Sequence, residues 1–200
     1  MSYSVLDAAK ARFPDYAAPA HNVMRRAQLH AELRALLPAS ARADWPRHAN
    51  YARGAKNLQD IHRAMLSNSA GMTRLFSALA EGAVATAQVA AVAKNAHDVA
   101  RHVIDHLHAH HHIEDEQLFP QFAQWNPKIS RPLALLEADH RVLNATGSVL
   151  DQALRNYPAP DAKAAEYDRA AQASAQLDRV MQRHLADEED IVIPAYLGLR

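Results

Sequence analysis

The sequence contains no cysteine and only five glycines among its 200 residues. Without thiols, the chain cannot form disulfides, zinc–thiolate sites, iron–sulfur clusters or a cysteine nucleophile. Basic and acidic residues are equal in number, at 22 each, so the chain lacks the basic excess typical of nucleic-acid-binding proteins. We therefore expect no nucleic-acid partner.

Long hydrophobic runs are also missing from the sequence. No stretch of about 18 apolar residues occurs, so we expect no membrane-spanning helix and no membrane partner. Residues 1–16 lack the basic start and the apolar segment of a secretory signal. These observations predict a cytoplasmic protein, and 200 residues suit a single domain with a sizeable core.

The pattern of helix breakers predicts an all-α fold. Alanine is abundant, alternating β-branched runs are missing, and prolines together with Gly82 separate long helical stretches. Four helices are predicted, over residues 47–81, 87–122, 130–156 and 161–197. We expect them to form an antiparallel, up-down-up-down four-helix bundle. Ser130 and Asp161 are predicted to cap the third and fourth helices, and Pro194 to kink or end the fourth.

The prediction separates an N-terminal arm, residues 1–46, from the bundle, residues 47–200. The arm is punctuated by prolines and is predicted to contain a shorter helix over residues 22–37. Its apolar side chains would share one side of that helix: Val23, Leu29, Leu33, Leu36 and Leu37. Such an arm could pack on the bundle or contact a protein partner, and the sequence favours neither.

Two segments of the chain resemble each other. Residues 110–120 and 184–194 each begin with histidine, carry glutamate four positions later followed by a second acid, and end with proline. A spacing of four places the histidine and the glutamate on one helical face, where they can converge on a metal such as iron. One such pair is weak evidence, because exposed acidic helix ends also contain histidines, but two matching copies are stronger.

Four histidines would lie at one height in the predicted bundle: His62, His110, His140 and His184. Positions 86, 125 and 162 lie midway between successive histidines, and each falls at or beside a predicted turn. Each histidine also lies in an apolar stripe of its helix. A single core histidine is more often held by a hydrogen bond, but four at one level with two glutamates favour a metal in the bundle core.

These motifs resemble the hemerythrin family, specifically the bacterial hemerythrin-like HHE cation-binding domains. The resemblance covers about residues 55–197 and rests on the segments IHRAML, HHHIEDEQLFP, LLEADHRVL and HLADEEDIVIP. It implies a non-haem centre of two iron ions with carboxylate and oxo bridges, or a site for another divalent metal. The implied terminal ligands are His62, His110, His140 and His184, and the implied bridging ligands are Glu114 and Glu188.

The sequence departs from the oxygen-carrying members of that family at one position. Those members have a second histidine one turn before the third-helix ligand, where this chain has Leu136. His111 is the best substitute, because the residue after the second-helix histidine reaches the metal in some relatives, and Glu137 is a poorer one. The departure argues against reversible oxygen carriage.

Three classes of function are compatible with the resemblance. The first is a protein that binds or senses a small diatomic ligand (oxygen or nitric oxide) or peroxide. The second is a di-iron enzyme that reduces peroxide or nitric oxide or repairs iron centres. Members that repair iron centres often carry a cysteine-bearing N-terminal segment, and this chain has no cysteine. The third is storage or delivery of iron or zinc, or a structural bundle that binds metal.

Further polar residues accompany the two motifs. Asp115, Glu189 and Asp190 could hydrogen-bond the metal-binding histidines, or they could face solvent. His102 and His106 extend the same helical stripe towards the N-terminus. A partly exposed face is favoured for these two over a polar access path.

Overall fold

We describe the protein in a computed structural model that covers residues 16–155, 157 and 164–199. These residues form helices and turns, with no strand among them, so the prediction of an all-α fold is confirmed. The long helices are α2 (Ala55–Ala80), α3 (Val89–Ile113), α5 (Ser130–Leu154) and α6 (Ala164–Tyr196). Two short helices are α1 (Ala31–Arg34) and α4 (Phe119–Trp125). No helix in the described part of the chain is long and apolar enough to cross a membrane.

The chain divides into two compact units. The first contains the described residues of 1–62, 110–142 and 182–200, and the second contains those of 63–109 and 143–181. Each unit has its own buried apolar side chains. Those of the first unit include Leu33, Trp45, Phe119, Phe122, Leu136 and Ile193. Those of the second include Met72, Phe76, Leu107, Leu143 and Leu177.

Helix α2 begins later than predicted and ends where predicted. Short 3-10 helices over Arg42–Arg47 and Tyr51–Arg53 precede it, and the non-helical Gly54, with a φ of 175° and a ψ of −47°, separates them from α2. The helix ends before Gly82, whose φ of 66° lies in the left-handed region that favours glycine. The predicted turn at Gly82 is therefore confirmed.

The predicted second helix is interrupted by a wider turn. A π-helix over Glu114–Leu118 separates α3 from α4. Pro120 explains this turn, because its ring has no N–H to donate and would collide with the carbonyl four residues earlier in an α-helix. The chain then turns at Asn126, whose side chain accepts a hydrogen bond from the backbone N–H of Lys128 at 3.3 Å.

The start of the third predicted helix corrects the prediction, and of the two effects predicted for Pro194, a kink or an end, the structure excludes the end. Ser130 has helical backbone angles, φ −58° and ψ −35°, and so lies inside α5 rather than capping it. Helix α6 continues past Pro194 and ends at a turn in which Gly198 has a φ of 77°. The N–H of Leu199 bonds to the carbonyl of Pro194 at 3.0 Å in this turn. The predicted cap at Asp161 lies outside the described residues.

The helix predicted over residues 22–37 is wrong for most of its length. Only helix α1, over Ala31–Arg34, is regular, and the residues before it form turns. Val23 and Leu33 are buried, and Arg26 is buried as well, at 6% exposure. A buried guanidinium needs acceptors on every side. The Nη1 atom of Arg26 donates a hydrogen bond to the carbonyl of His21 at 2.6 Å. The turn of residues 21–26 therefore depends on a polar contact that an apolar sequence pattern does not reveal.

Gly54 provides a test of packing in the first unit. A Cβ atom at Gly54 would lie 2.5 Å from two ring carbons of Tyr196, and that ring packs edge-on against Phe122 at 4.9 Å. We expect Gly54→Ala to lower the free energy of unfolding by about 1–3 kcal/mol, measured by chemical denaturation. Gly147→Ala is the control, because its Cβ would meet nothing within 4 Å. It should raise stability by about 0.5–1 kcal/mol, and equal effects at both positions would contradict this packing.

Candidate metal centre

The seven residues predicted to bind metal lie together in the first unit. They form two groups, within each of which the potential ligand atoms all lie within 4.8 Å of one another. The first group is His62, His110, Glu114 and Glu188, and the second is His111, His140 and His184. All seven side chains are buried, with at most 8% of any residue exposed. A single small volume of the protein interior therefore collects five imidazoles and two carboxyl groups.

Helical spacing accounts for much of this convergence. The His110 Nε2 atom lies 3.3 Å from Glu114 Oε1, across the junction between α3 and the π-helix. On α6, His184 Nε2 lies 3.7 Å from Glu188 Oε2. Each repeated His–Glu pair thus lies on one helical face, as a spacing of four residues requires. Helix α2 adds His62 to the site, and α5 adds His140.

Each glutamate faces both groups of histidines. The two oxygens of Glu114 lie 3.3 Å from His110 Nε2 and 3.4 Å from His140 Nε2. The oxygens of Glu188 lie 3.3 Å from His62 Nε2 and 3.7 Å from His184 Nε2. Each carboxylate thus contacts a member of the first group through one oxygen and a member of the second group through the other.

These facing atoms lie at ion-pair distances but are not oriented to hydrogen-bond one another. Among the described residues, no hydrogen-bond partner exists for the Nε2 atoms of His62, His110, His140 and His184, or for any carboxylate oxygen of Glu114 and Glu188. Each buried polar atom without a hydrogen-bond partner lowers the free energy of unfolding by about 1–3 kcal/mol. A cation would satisfy all of them, and a mixed set of imidazole and carboxylate ligands suits iron and related transition metals.

His111 belongs to the second group. Its ring stacks on that of His140, with centroids 3.9 Å apart and an angle of 11° between the planes. Leu136, which occupies the position of the missing third-helix histidine, is completely buried in the apolar core of the first unit. Glu137, the other predicted substitute, is in neither group.

Acidic side chains contact the far sides of three histidine rings. His140 Nδ1 lies 2.8 Å from Asp115, His184 Nδ1 lies 3.3 Å from Asp139, and His62 Nδ1 lies 3.4 Å from Glu189. For His140 and His184, this contact is a hydrogen bond that favours the proton on Nδ1, so that Nε2 of the neutral ring directs its lone pair into the site. The Nδ1 atom of His62 makes no hydrogen bond within the described residues.

The sequence pattern indicates two of these three acids. Asp115 and Glu189 are among the predicted partners of the histidines, whereas Asp190 instead accepts a hydrogen bond from Arg42 at 2.8 Å. Asp139 is missed, because a residue directly before His140 projects to a different side of its helix. The available signal is a pair of acids, Glu137 and Asp139, at the end of the apolar stretch before His140, since a buried acid needs a partner.

The other histidines in the second half of α3 lie on a largely exposed face, as expected for His102 and His106. His102, His108 and His112 are exposed, and His106 is half-buried. His102 and His106 lie in the second unit, with ring centroids 5.8 Å apart.

Burial and charge move the pKa values of the two glutamates in opposite directions. Burial, together with the charge of Glu188, raises the pKa of Glu114 to about 7. Burial would also raise the pKa of Glu188, but His62 and His110 outweigh it and hold that pKa well below its usual range. Burial and the neighbouring charge therefore leave Glu114 partly protonated near pH 7, while Glu188 is ionised.

In the metal-free protein, protonated histidines balance the negative charge of the buried carboxylates. Burial would lower the pKa of His62, but Glu188 and Glu189 outweigh it and raise that pKa to about 10. For His140, Asp115 and Glu114 overcome the same effect of burial and raise the pKa to about 9. Because a metal ion needs the neutral ring nitrogen, metal binding must displace these protons.

The raised histidine pKa values predict how pH affects the metal-free protein. His62 and His140 have pKa values of about 10 and 9 when folded, against an ordinary 6.5. Their contribution to stability is complete below pH 6.5 and is lost as the pH rises through 9 to 10. The melting temperature of chelator-treated protein should fall across this window, and His62→Gln should flatten the fall. A melting temperature that stays constant across it would exclude these protonated pairs.

One comparison with known proteins identifies the chain. The family model described as "Hemerythrin HHE cation binding domain" matches residues 53–196. No curated protein and no solved structure gives a match. The matched region contains all seven clustered side chains, and its start leaves the N-terminal arm outside. The chain therefore belongs to the hemerythrin HHE cation-binding domain family, as a metal-binding, hemerythrin-like protein.

Proposed function

We propose that this protein binds two iron ions and uses them to bind or sense oxygen, nitric oxide or peroxide. The observation that carries the proposal is the set of buried, facing polar atoms: Nε2 of four histidines and both oxygens of two glutamates. Two carboxylates that each face both groups of histidines support two cation positions rather than one. The proposal includes an up-down-up-down bundle, which brings one histidine from each long helix to a common level.

The proposed ligands divide into two unequal sets. His62 and His110 would hold the first ion, and His111, His140 and His184 the second. Glu114 and Glu188 would give one oxygen to each ion. His111 takes the place of the histidine that is missing at Leu136. Because the first ion receives one imidazole fewer, it keeps more room for an external ligand.

The burial of the site favours small ligands. Bound iron would supply a redox-active Lewis acid, and the surrounding residues decide what can reach it. All seven side chains are at most 8% exposed, and the ring of Phe119 stacks on His140 with centroids 5.5 Å apart. A large substrate would need the protein to open, whereas a diatomic molecule or peroxide would not.

Single substitutions test the ligand set. His110→Ala and Glu114→Ala should each strip the metal and lower the melting temperature, because bound metal stabilises the native state. His111→Ala should leave close to one ion per chain. The exposed neighbours His112 and Glu116, replaced by alanine, are matched controls that should keep the wild-type content. Metal per chain is measured by plasma mass spectrometry on protein without a histidine tag. Unchanged metal in both His110→Ala and Glu114→Ala would refute the assignment.

A second experiment separates binding from turnover. Protein with two ferric ions should be coloured, and its absorption should change when azide, nitric oxide or a reductant is added. Consumption of peroxide or nitric oxide with saturable kinetics would instead identify an enzyme. Zinc, or no metal after anaerobic loading with ferrous iron, would exclude the di-iron proposal and favour a structural or storage role.

A further inference from the structure

The N-terminal arm places a buried arginine between two buried carboxylates. The Arg26 side chain is 1% exposed, and the side chains of Asp139 and Asp187 are 0% exposed. Its Nε atom donates to Asp187 at 2.8 Å, and both of its Nη atoms donate to Asp139. A guanidinium that donates to both oxygens of one carboxylate fixes the orientation of that carboxylate.

A tyrosine of the arm completes the surroundings of Asp139. The Tyr16 hydroxyl accepts the backbone N–H of Val23 at 3.3 Å and donates to Asp139 Oδ1 at 2.6 Å. Because the Tyr16 oxygen already accepts a hydrogen bond from Val23, its own proton points towards the Asp139 carboxylate. The Oδ1 atom of Asp139 thus accepts from Tyr16 and Arg26, which leaves Oδ2 for Arg26 and one further partner.

That further partner is His184, a member of the three-histidine group. The Nδ1 atom of His184 lies 3.3 Å from Asp139 Oδ2, inside a site where His184 is completely buried. A carboxylate on Nδ1 sets both the tautomer and the orientation of the ring, and so the direction of Nε2. The chain of contacts therefore runs from the arm, through Asp139, to one proposed metal ligand.

We propose that Arg26 and Tyr16 are positioning residues of the metal centre, acting through Asp139 on His184. This inference rests on the proposed function, and it concerns residues that precede the family match, which begins at residue 53. It gives the arm a specific role, because the arm would hold the ion of the three-histidine group more tightly than the family domain alone would.

The proposal predicts an effect on one ion rather than on both. His184 belongs to the second group only, while His62 in the first group faces Glu189. Glu189 is held from the arm by a different arginine, Arg42, at 2.9 Å. Changing Arg26 or Tyr16 should therefore weaken the hold on the second ion and leave the first ion almost unaffected.

Arg26→Lys is the sharpest variant. It keeps the positive charge but cannot bond both oxygens of Asp139 while also reaching Asp187. Asp187 retains Arg183, which donates to it at 2.6 Å and 3.0 Å, so the change acts mainly on Asp139. Tyr16→Phe is the milder second variant, because it deletes a single hydroxyl and should fold even if Arg26→Lys does not.

Arg34→Lys is the matched control. It makes the same chemical change in an arm residue that is half exposed and pairs with Asp190 on helix α6 at 3.5 Å. Asp190 contacts arginines of the arm, and no histidine contact of Asp190 exists among the ion pairs of the described residues. The control therefore disturbs docking of the arm without disturbing Asp139.

The experiment loads full-length protein anaerobically with ferrous iron and follows its release to a chromogenic chelator. We expect one of the two ions to leave about 10–100-fold faster from Arg26→Lys, and several-fold faster from Tyr16→Phe. The other ion should leave both variants at the wild-type rate. Arg34→Lys should match the wild type for both ions.

The outcomes separate this inference from the function on which it rests. Wild-type release rates for both ions in Tyr16→Phe and Arg26→Lys would overturn the inference and leave the di-iron proposal intact. Suppose instead that Arg26→Lys releases both ions equally faster, and that Arg34→Lys lowers the melting temperature as much as Arg26→Lys does. That result would overturn the inference in favour of general stabilisation by the arm. Wild-type protein that takes up no iron would overturn the proposed function, and the inference with it.

Discussion

The burial of two carboxyl groups side by side is the constraint on which the rest of this structure depends. Glu114 and Glu188 are almost fully enclosed, and a charge moved into a protein interior is costly unless a partner compensates it. Around them lie imidazoles whose Nε2 atoms make no hydrogen bonds within the described residues and face the carboxylate oxygens. Protons can balance part of this charge, as the raised pKa of His62 indicates. A pair of cations would balance it with a ligand set of the kind that iron accepts.

The parts of this arrangement that follow from local helix geometry could be predicted from the sequence. A histidine and a glutamate four residues apart must share a helical face, so the pairs His110 with Glu114 and His184 with Glu188 follow from spacing alone. Gly82 marks a turn for an equally local reason, since only glycine adopts a positive φ without strain. Four imidazoles and both glutamates could be found in this way, because each lies on a helix whose register the apolar pattern determines. His111 follows only from the resemblance to the family.

The parts that depend on contacts between distant segments could not be predicted. Arg26 meets Asp139 across 113 positions and Asp187 across 161, and no periodicity links such residues. The prediction of a helix over residues 22–37 is wrong for the same reason. The backbone of the arm is arranged so that the buried guanidinium of Arg26 meets its hydrogen-bond acceptors. The π-helix after Glu114 is also missed, although Pro120 is a signal for it: a proline inside a helix must be accommodated by kinking, ending or widening the turn.

The outer contacts make the two groups of potential ligands chemically unequal. Glu189, which faces His62, is paired with an arginine that is 47% exposed, so water and salt screen that interaction. Asp139, which faces His184, is paired with an arginine that is 1% exposed, where screening is weak and geometry is fixed. His62 in the first group and His184 in the second therefore have different electrostatic surroundings. The difference originates in the arm, which the family domain does not include, and so it is specific to the way this chain completes the domain.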